Sequence, residues 1–379
     1  MKCKLSDICS FRKGKVEVES LNAKNYISTE NMLPNKCGIT EASSLPTVPL
    51  TQEYKNGDVL VSNIRPYFKK IWQAQYDGGC SNDVLVFVPK PNTDKDFLYY
   101  VLADDDFFTY SMATSKGTKM PRGDKTSIMQ YEVPMIDLQV QEKIASVLKA
   151  LDKKIELNNE INNNLEQQAQ AVYYKMFSEV NGEPVELSGI IDVRDGTHDS
   201  PKAQATGYYL ITSKHLLPFG VDKASANRIS KADFDKINER SLVETQDILM
   251  SMIGTIGLIS YIPYKAVDFA IKNVALFKTS HTPELAYYFL CYLKSEKALQ
   301  HIEKCLAGST QKYISLGELR KMPIYSPTAD EIREFNYLVK PMFEEIVSRT
   351  CENALLAEMR DTLLSKLMSG ELDVSGIDL

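Results

Sequence analysis

The chain is written twice. Leu5-Ser6-x-Ile8-x-x-x-Arg12-x-Gly14 returns as Leu187-Ser188-x-Ile190-x-x-x-Arg194-x-Gly196, and Ile27-Ser28-Thr29-x-x-x-Leu33-Pro34 returns as Ile211-Thr212-Ser213-x-x-x-Leu217-Pro218. Asp58-Val59-Leu60-Val61-Ser62 matches Asp247-Ile248-Leu249-Met250-Ser251, Val84-x-x-Phe87 matches Val274-x-x-Phe277, and Gly117-Thr118 matches Gly308-Ser309. The offset climbs from 182 at Leu5/Leu187 to 191 at Gly117/Gly308. An unbroken order with small drifts marks one ancestral unit copied in tandem, with loop insertions between matched blocks. The period is far too long for a solenoid. A chain of 379 residues then folds as two similar domains, each able to bury its own core, related by approximate twofold symmetry. Two similar but non-identical heads suit reading two different things at a fixed separation.

Each copy reads as a globular segment followed by a long helix. In the globular segments, β-rich runs at Asp58–Ser62, Val84–Val88, Ile248–Ile253 and Val274–Phe277 alternate with Gly/Asn/Asp/Pro turns. Helical stretches at Phe97–Phe108 and Glu284–Leu306 interrupt them, so the class is α+β. From Gln139 to Phe177, two columns repeat every seven residues: Ile144, Leu151, Asn158, Leu165, Val172, and Leu148, Ile155, Asn162, Ala169, Met176. That period signals a coiled coil. Shifted by 191, the columns reappear between Ala329 and Ser369 as Phe335, Met342, Arg349, Leu356, Leu363, and Val339, Ile346, Asn353, Arg360, Leu367. Matching seams predict that the two helices pack antiparallel. A polar layer (Asn158 and Asn162 in one helix, Arg349 and Asn353 in the other) is either a solvated break or a register pin. Pro341 predicts a kink, or a helix that truly starts near Lys340. Asn181-Gly182 and Pro184 turn the chain from one copy into the next. The expected division is 1–138, 139–177, 178–327 and 328–379.

Charge and motifs narrow the function. The net charge of −6 arises entirely in the last 54 residues, which carry 5 basic and 11 acidic side chains. The globular parts are neutral on balance, which permits a local basic face without demonstrating one. The seven cysteines form no Cys-x-x-Cys pair and the four histidines show no ligand spacing, so no metal is expected and a reducing cytoplasm is. No signal peptide or membrane span is expected. Phosphate-loop, dinucleotide, nucleophile-elbow and Asn/Asp-Pro-Pro-aromatic signatures are missing. Gly254-Thr-Ile-Gly257 reads as a turn, and Asp104-Asp105-Asp106 as a solvated loop or helix start. A chain of this kind recognises or scaffolds.

Val140-Gln-Glu-Lys-Ile144 followed by Ala150-Leu-Asp-Lys-Lys-Ile-Glu-Leu-Asn-Asn159 resembles the central conserved region of the specificity (S) subunits of Type I restriction–modification systems. Arg360-Asp-Thr-Leu-Leu-Ser-Lys-Leu-Met-Ser-Gly-Glu-Leu372 resembles that family's C-terminal conserved helix. Arg194-Asp-Gly-Thr-His-Asp-Ser-Pro-Lys202 with Ile211-Thr-Ser-Lys-His-Leu216 resembles the start of a target recognition domain. Gly308-Ser-Thr-Gln-Lys-Tyr-Ile314 with Met322-Pro323-Ile324 resembles the segment that closes one. The resemblance implies two target recognition domains, each reading one part of a split site in double-stranded DNA. It implies a helix pair that serves as spacer and docks two methyltransferase (M) subunits. The M subunits would bring S-adenosylmethionine; restriction (R) subunits, where present, would bring ATP and Mg. The chain itself would be non-catalytic. Pro341 and the first block, Arg12-Lys-Gly-Lys15, depart from the family pattern. Two alternatives stand beside this reading: the recognition portion of a fused restriction–methylation enzyme, and a coiled-coil scaffold with no nucleic-acid role.

Reading DNA needs cations or hydroxyls at phosphates and donors or acceptors at base edges. The candidates in the first copy are Arg12, Lys13 and Lys15; Arg65, Tyr67, Lys69 and Lys70; and Lys116, Lys119, Arg122 and Lys125, four cations in ten residues beside Gly117 and Gly123. In the second copy they are His198, Lys202, Lys214, His215, Lys272, Asn273 and Lys312. His198 has a second reading, as a cap on its own Asp-Gly turn.

Overall fold

The computed structural model describes residues 2–178, 183–308, 312–369 and 371–372. The Asn181-Gly182 turn between the copies and residues 309–311 of the closing block lie outside the described residues. The chain forms two compact units, Met1–Glu156 with Asn353–Leu379, and Leu157–Glu352. This division passes through both long helices. The cause is packing: each helix half is part of a unit's core.

In the first unit, an antiparallel sheet runs in the order Cys9–Phe11, Val84–Pro89, Val59–Ser62, Ile71–Gln73. Val59–Ser62 is buried along its whole length, as a continuous apolar run in a covered sheet must be. A second sheet orders Lys15–Glu17, Leu50–Tyr54, Gly78–Cys80 and Tyr26–Ile27, the last pair parallel. The helical stretch expected at Phe97–Phe108 is two helices, Lys95–Ala103 and Asp105–Ala113. Asp104 divides them because its carboxylate accepts the Asp106 N–H at 3.0 Å and so caps a new helix. The acidic triplet is thus a helix start.

The second unit repeats this plan. Val193–Asp195, Val274–Phe277, Ile248–Ser251 and Ile259–Tyr261 lie in the corresponding order, and the parallel pair returns as Tyr208–Ile211 with Phe269–Ile271. The departure is at the edge, where Asn227–Ile229 and the helix Lys231–Ser241 follow. The stretch expected at Glu284–Leu306 divides at Ser295, whose hydroxyl caps Glu296–Lys304.

Both copies bury one carboxylate at the same turn, but they neutralise it differently. Asp58 accepts the Lys55 N–H at 2.8 Å, and Asp247 the Glu244 N–H at 2.7 Å. Asp58 is paired by Arg12, whose Nη2 lies 2.7 Å from Oδ1. Asp247 is paired by Lys278, at 2.7 Å, from just past the end of strand Val274–Phe277.

The long helices span Leu138–Phe177 and Ala329–Ser369. In the first unit, Ile144 and Leu148 share a core with Leu364 and Leu367. In the second, Ala169, Tyr173 and Phe177 share one with Ile332, Phe335 and Val339. Within each unit rising numbers on one helix meet falling numbers on the other, so the pairing is antiparallel as expected. The second helix opens on a capping box: Glu331 accepts the Thr328 N–H at 2.7 Å and the Thr328 hydroxyl accepts the Glu331 N–H at 3.3 Å. It then runs through Pro341, so no start lies near Lys340. Pro341 is exposed, and Tyr337 one turn earlier is 82% exposed. The lost backbone bond therefore faces water, which can satisfy the orphaned carbonyl.

The polar layer is a pin and not a break. Asn158 is fully buried, donates through Nδ2 to Glu352 at 2.7 Å, and accepts from Arg349 Nη1 at 2.9 Å. A shifted register would bury this amide against apolar side chains. Asn158→Leu is expected to lower the unfolding free energy by roughly 2–3 kcal/mol, since hydrogen bonds to charged groups are lost together. The measurement is the urea midpoint; a change below roughly 0.5 kcal/mol would restore the solvated-break reading. In the first unit, Arg360 Nη1 meets Asp152 at 2.8 Å, and the Tyr100 hydroxyl donates to the same carboxylate at 2.7 Å.

Candidate nucleic-acid interface

Two loops of the first unit are stitched side by side. After strand Val59–Ser62, the Asn63 carbonyl accepts the Gly123 N–H at 3.1 Å, and Arg65 N–H donates to the Pro121 carbonyl at 2.8 Å. Ile64 and Lys116 both bridge to Arg122. Gly123 permits this approach: a Cβ there would lie 2.7 Å from Asn63 Oδ1 and 2.8 Å from Ile128 Cδ1. The sequence candidates Arg65, Tyr67, Lys69, Lys70, Lys116, Lys119 and Arg122 are therefore brought onto one pair of adjoining loops.

The backbone of the first loop is strained. Arg65 and Lys69 adopt left-handed φ values of 51° and 50°, bracketing the tight turn Pro66–Phe68. Each costs on the order of 1–2 kcal/mol for a residue with a Cβ. The turn leaves Tyr67 49% and Phe68 37% exposed. The matching loop of the second unit, Ile253–Leu258, has glycine at its left-handed positions, Gly254 (φ 80°) and Gly257 (φ 84°). Glycine adopts that conformation without penalty. The first unit thus accepts strain where the second avoids it, and what it gains is two cations beside two aromatic rings.

Partners differ among these cations. Lys69 and Lys36 both pair with Asp105, at 2.7 and 2.8 Å. Lys70 donates to the Thr29 carbonyl at 2.6 Å and lies over the Phe68 ring, and burial pulls its pKa down. Lys116 pairs with Asp124, and Arg122 with Asp83 at 3.1 Å. That Lys116 contact, with the Ser127 N–H, holds the Asp124 carboxyl down to about 2. Lys119 is exposed and forms no ion pair among the described residues. Lys125 lies 5.9 Å from the Phe11 ring centroid. Lys13 and Lys15 are exposed, Lys15 on an edge strand.

Two candidates are corrected. Arg12 holds Asp58 through Nε and Nη2, and its side chain is only 20% exposed. His215 is buried, its Nδ1 accepts the Thr212 N–H at 3.0 Å, and burial lowers its pKa. Both side chains serve the fold.

In the second unit the segment Thr197–Pro201 docks along Ile271–Asn273. Thr197 N–H donates to the Ile271 carbonyl at 3.0 Å, and Asn273 N–H to Thr197 at 3.1 Å. His198 contacts Asn273 Oδ1 through Nδ1 at 2.7 Å and Asp195 Oδ2 through Nε2 at 3.0 Å, so its ring lies against the Asp195 side chain of its own Asp-Gly turn. Lys272 Nζ reaches Ser200 Oγ. Beside them lies a cleft of about 400 Å3 that also meets Lys236 and Arg240. Arg240 donates to Asp195 Oδ1 at 2.9 Å and to the Gly196 carbonyl at 3.2 Å. Lys236 and Arg240 are not among the sequence candidates. Their only signal was a four-residue spacing on the edge helix. Lys202, Lys214 and Lys312 are exposed. Gly254–Gly257 is a turn, closed by Ser251 Oγ accepting the Leu258 N–H at 2.8 Å.

The chain is thus a duplicated α+β fold with two long helices, and its first unit gathers cations on adjoining loops. The chain belongs to the Type I restriction modification DNA specificity domain family, whose model matches it twice, over residues 1–167 and 179–335. This is the family that the conserved helical segments resemble, and its members recognise DNA sequence for Type I restriction–modification. The chain is 24% identical over 436 residues to the Type I restriction enzyme HindI specificity subunit of Haemophilus influenzae, covering 92% of this chain and 94% of that one. It is 24% identical over 319 residues to the MjaIX specificity subunit of Methanocaldococcus jannaschii, covering 76% and 71%. In fold it is similar to the crystal structure of a Type I S subunit from M. genitalium, with a TM-score of 0.53 at 16% identity, over 97% of this chain and 96% of that one. No helix among the described residues is long and apolar enough to cross a membrane.

Proposed function

We propose that this chain reads a bipartite site in double-stranded DNA, each unit contacting one half, for a cytoplasmic Type I restriction–modification complex. The observation that supports it most directly is the strained loop of the first unit. There Arg65 and Lys69 occupy positions that the second unit gives to glycine, beside the cations of 116–122. Cations on loops neutralise phosphates, while Tyr67, Asn273 and their neighbours have the groups to read base edges. The long helices set the length of the unread spacer and dock two M subunits. Those M subunits supply S-adenosylmethionine and methylate adenine. R subunits, where present, add ATP- and Mg-dependent translocation and cleavage. This chain contributes recognition and assembly, and none of the chemistry.

The spacer assignment has a direct test. Seven residues inserted after Asn164, with seven more in the facing layer of the second helix, preserve the heptad seam and lengthen the pair by about 10 Å. That is roughly three base pairs. A map of modified bases in cells that express this variant with its M subunit is expected to show the two half-motifs moved apart by that amount. An unmoved motif would overturn the spacer role.

A further inference from the structure

The second unit departs from the first at three matched positions, and the three changes converge in space. In the first unit, Tyr110 on helix Asp105–Ala113 donates its hydroxyl to the Ser127 carbonyl at 3.1 Å, with Thr114 one turn further along. At an offset of 191 these three residues become His301, Cys305 and Glu318. His301 Nε2 contacts the Glu318 carbonyl at 3.2 Å, so the original staple is kept. What is new is the chemistry around it. Hydroxyl-bearing side chains at three positions have been replaced by an imidazole, a thiol and a carboxylate. Each is a metal-ligand type, and their ligand atoms all lie within 4.8 Å of one another.

The spacing fits one geometry. Zinc holds thiolate at about 2.3 Å and imidazole at about 2.0–2.1 Å with tetrahedral angles, which sets sulfur and nitrogen about 3.6 Å apart. Cys305 Sγ and His301 Nε2 are 3.5 Å apart. His301 and Cys305 are one helical turn apart and so share a face, and Glu318 comes from the helix Leu316–Arg320. All three residues are half-buried, which leaves a side open for a fourth ligand from water.

We propose that His301, Cys305 and Glu318 form a binding site for a borderline-soft divalent cation, zinc(II) by ligand chemistry. The ion ties the C-terminal end of helix Glu296–Lys304 to helix Leu316–Arg320. It thereby steadies the Ala307–Tyr313 bridge, the counterpart of the Lys116–Arg122 bridge of the first unit. Binding releases the thiol proton and shifts the imidazole proton from Nε2 to Nδ1, so affinity falls with acidification. The site does not depend on the DNA-reading assignment.

The test is cobalt(II) uptake by the full-length chain after chelator treatment. Wild type is expected to bind one equivalent, with a thiolate-to-cobalt charge-transfer band that zinc(II) abolishes. The triple variant His301→Tyr, Cys305→Thr, Glu318→Ser carries the first unit's own residues and is expected to lose both uptake and band. Cys305→Ser alone serves if the triple variant does not fold, and it too is expected to lose the band. No uptake by wild type, or a band that survives in either variant, would overturn the site.

Discussion

Replacing Lys278 with alanine is expected to destabilise the second unit by about 3–5 kcal/mol, because it strands a buried carboxylate. The Lys278 side chain is 1% exposed, and its ammonium donates to Asp247 at 2.7 Å, Glu244 at 2.7 Å and the Leu242 carbonyl at 3.1 Å. Asp247 has no solvent exposure, so water cannot take over when the cation goes. The nearby ammonium holds the Glu244 carboxyl below its ordinary range. The matched experiment on the first unit, Arg12→Ala, is expected to cost less, since the 20% exposure of Arg12 gives water a route to Asp58. Guanidinium denaturation followed by circular dichroism separates the cases. A Lys278→Ala loss below about 1 kcal/mol would overturn this prediction.

Charge reversal at the paired loops is expected to weaken binding to every DNA sequence alike. On the proposed reading both side chains contact phosphates, so Lys119→Glu with Arg122→Glu is expected to make the slope of log affinity against log salt shallower by about 2. Lys119 is exposed, and Arg122 pairs only at the rim with Asp83, so neither change opens a core. The readout is affinity for cognate and scrambled duplexes across a salt series, with the variant assembled with its M subunit. An unchanged slope would remove these loops from the interface. A loss confined to the cognate sequence would reassign them from phosphates to bases.

Much of the fold was legible. The strands at Asp58–Ser62 and Val274–Phe277, the seven-residue seams and the polar layer at Asn158 are all visible because burial imposes a period on neighbouring residues. The two helix breaks were harder. Asp104 and Ser295 end one helix by capping the next, and the cap rests on a short-range hydrogen bond from one side chain, which the helical period of the flanking residues does not encode. The candidate site was legible only as a set. Arg12 and Lys119 look alike in sequence, both cations near a glycine. One lies against Asp58, 46 positions further on, while the other stands in solvent.

The sequence by itself determined the duplication, the α+β class, the antiparallel helix pair and the family. Copying and periodicity are properties of order along a chain, and they need no coordinates. Only the tertiary structure decided which cations are spent on buried carboxylates and which Arg and Lys bear left-handed strain. It alone brought His301, Cys305 and Glu318 together. Those outcomes rest on Coulombic, hydrogen-bonding and ligand distances of a few ångströms between residues that lie far apart in the chain.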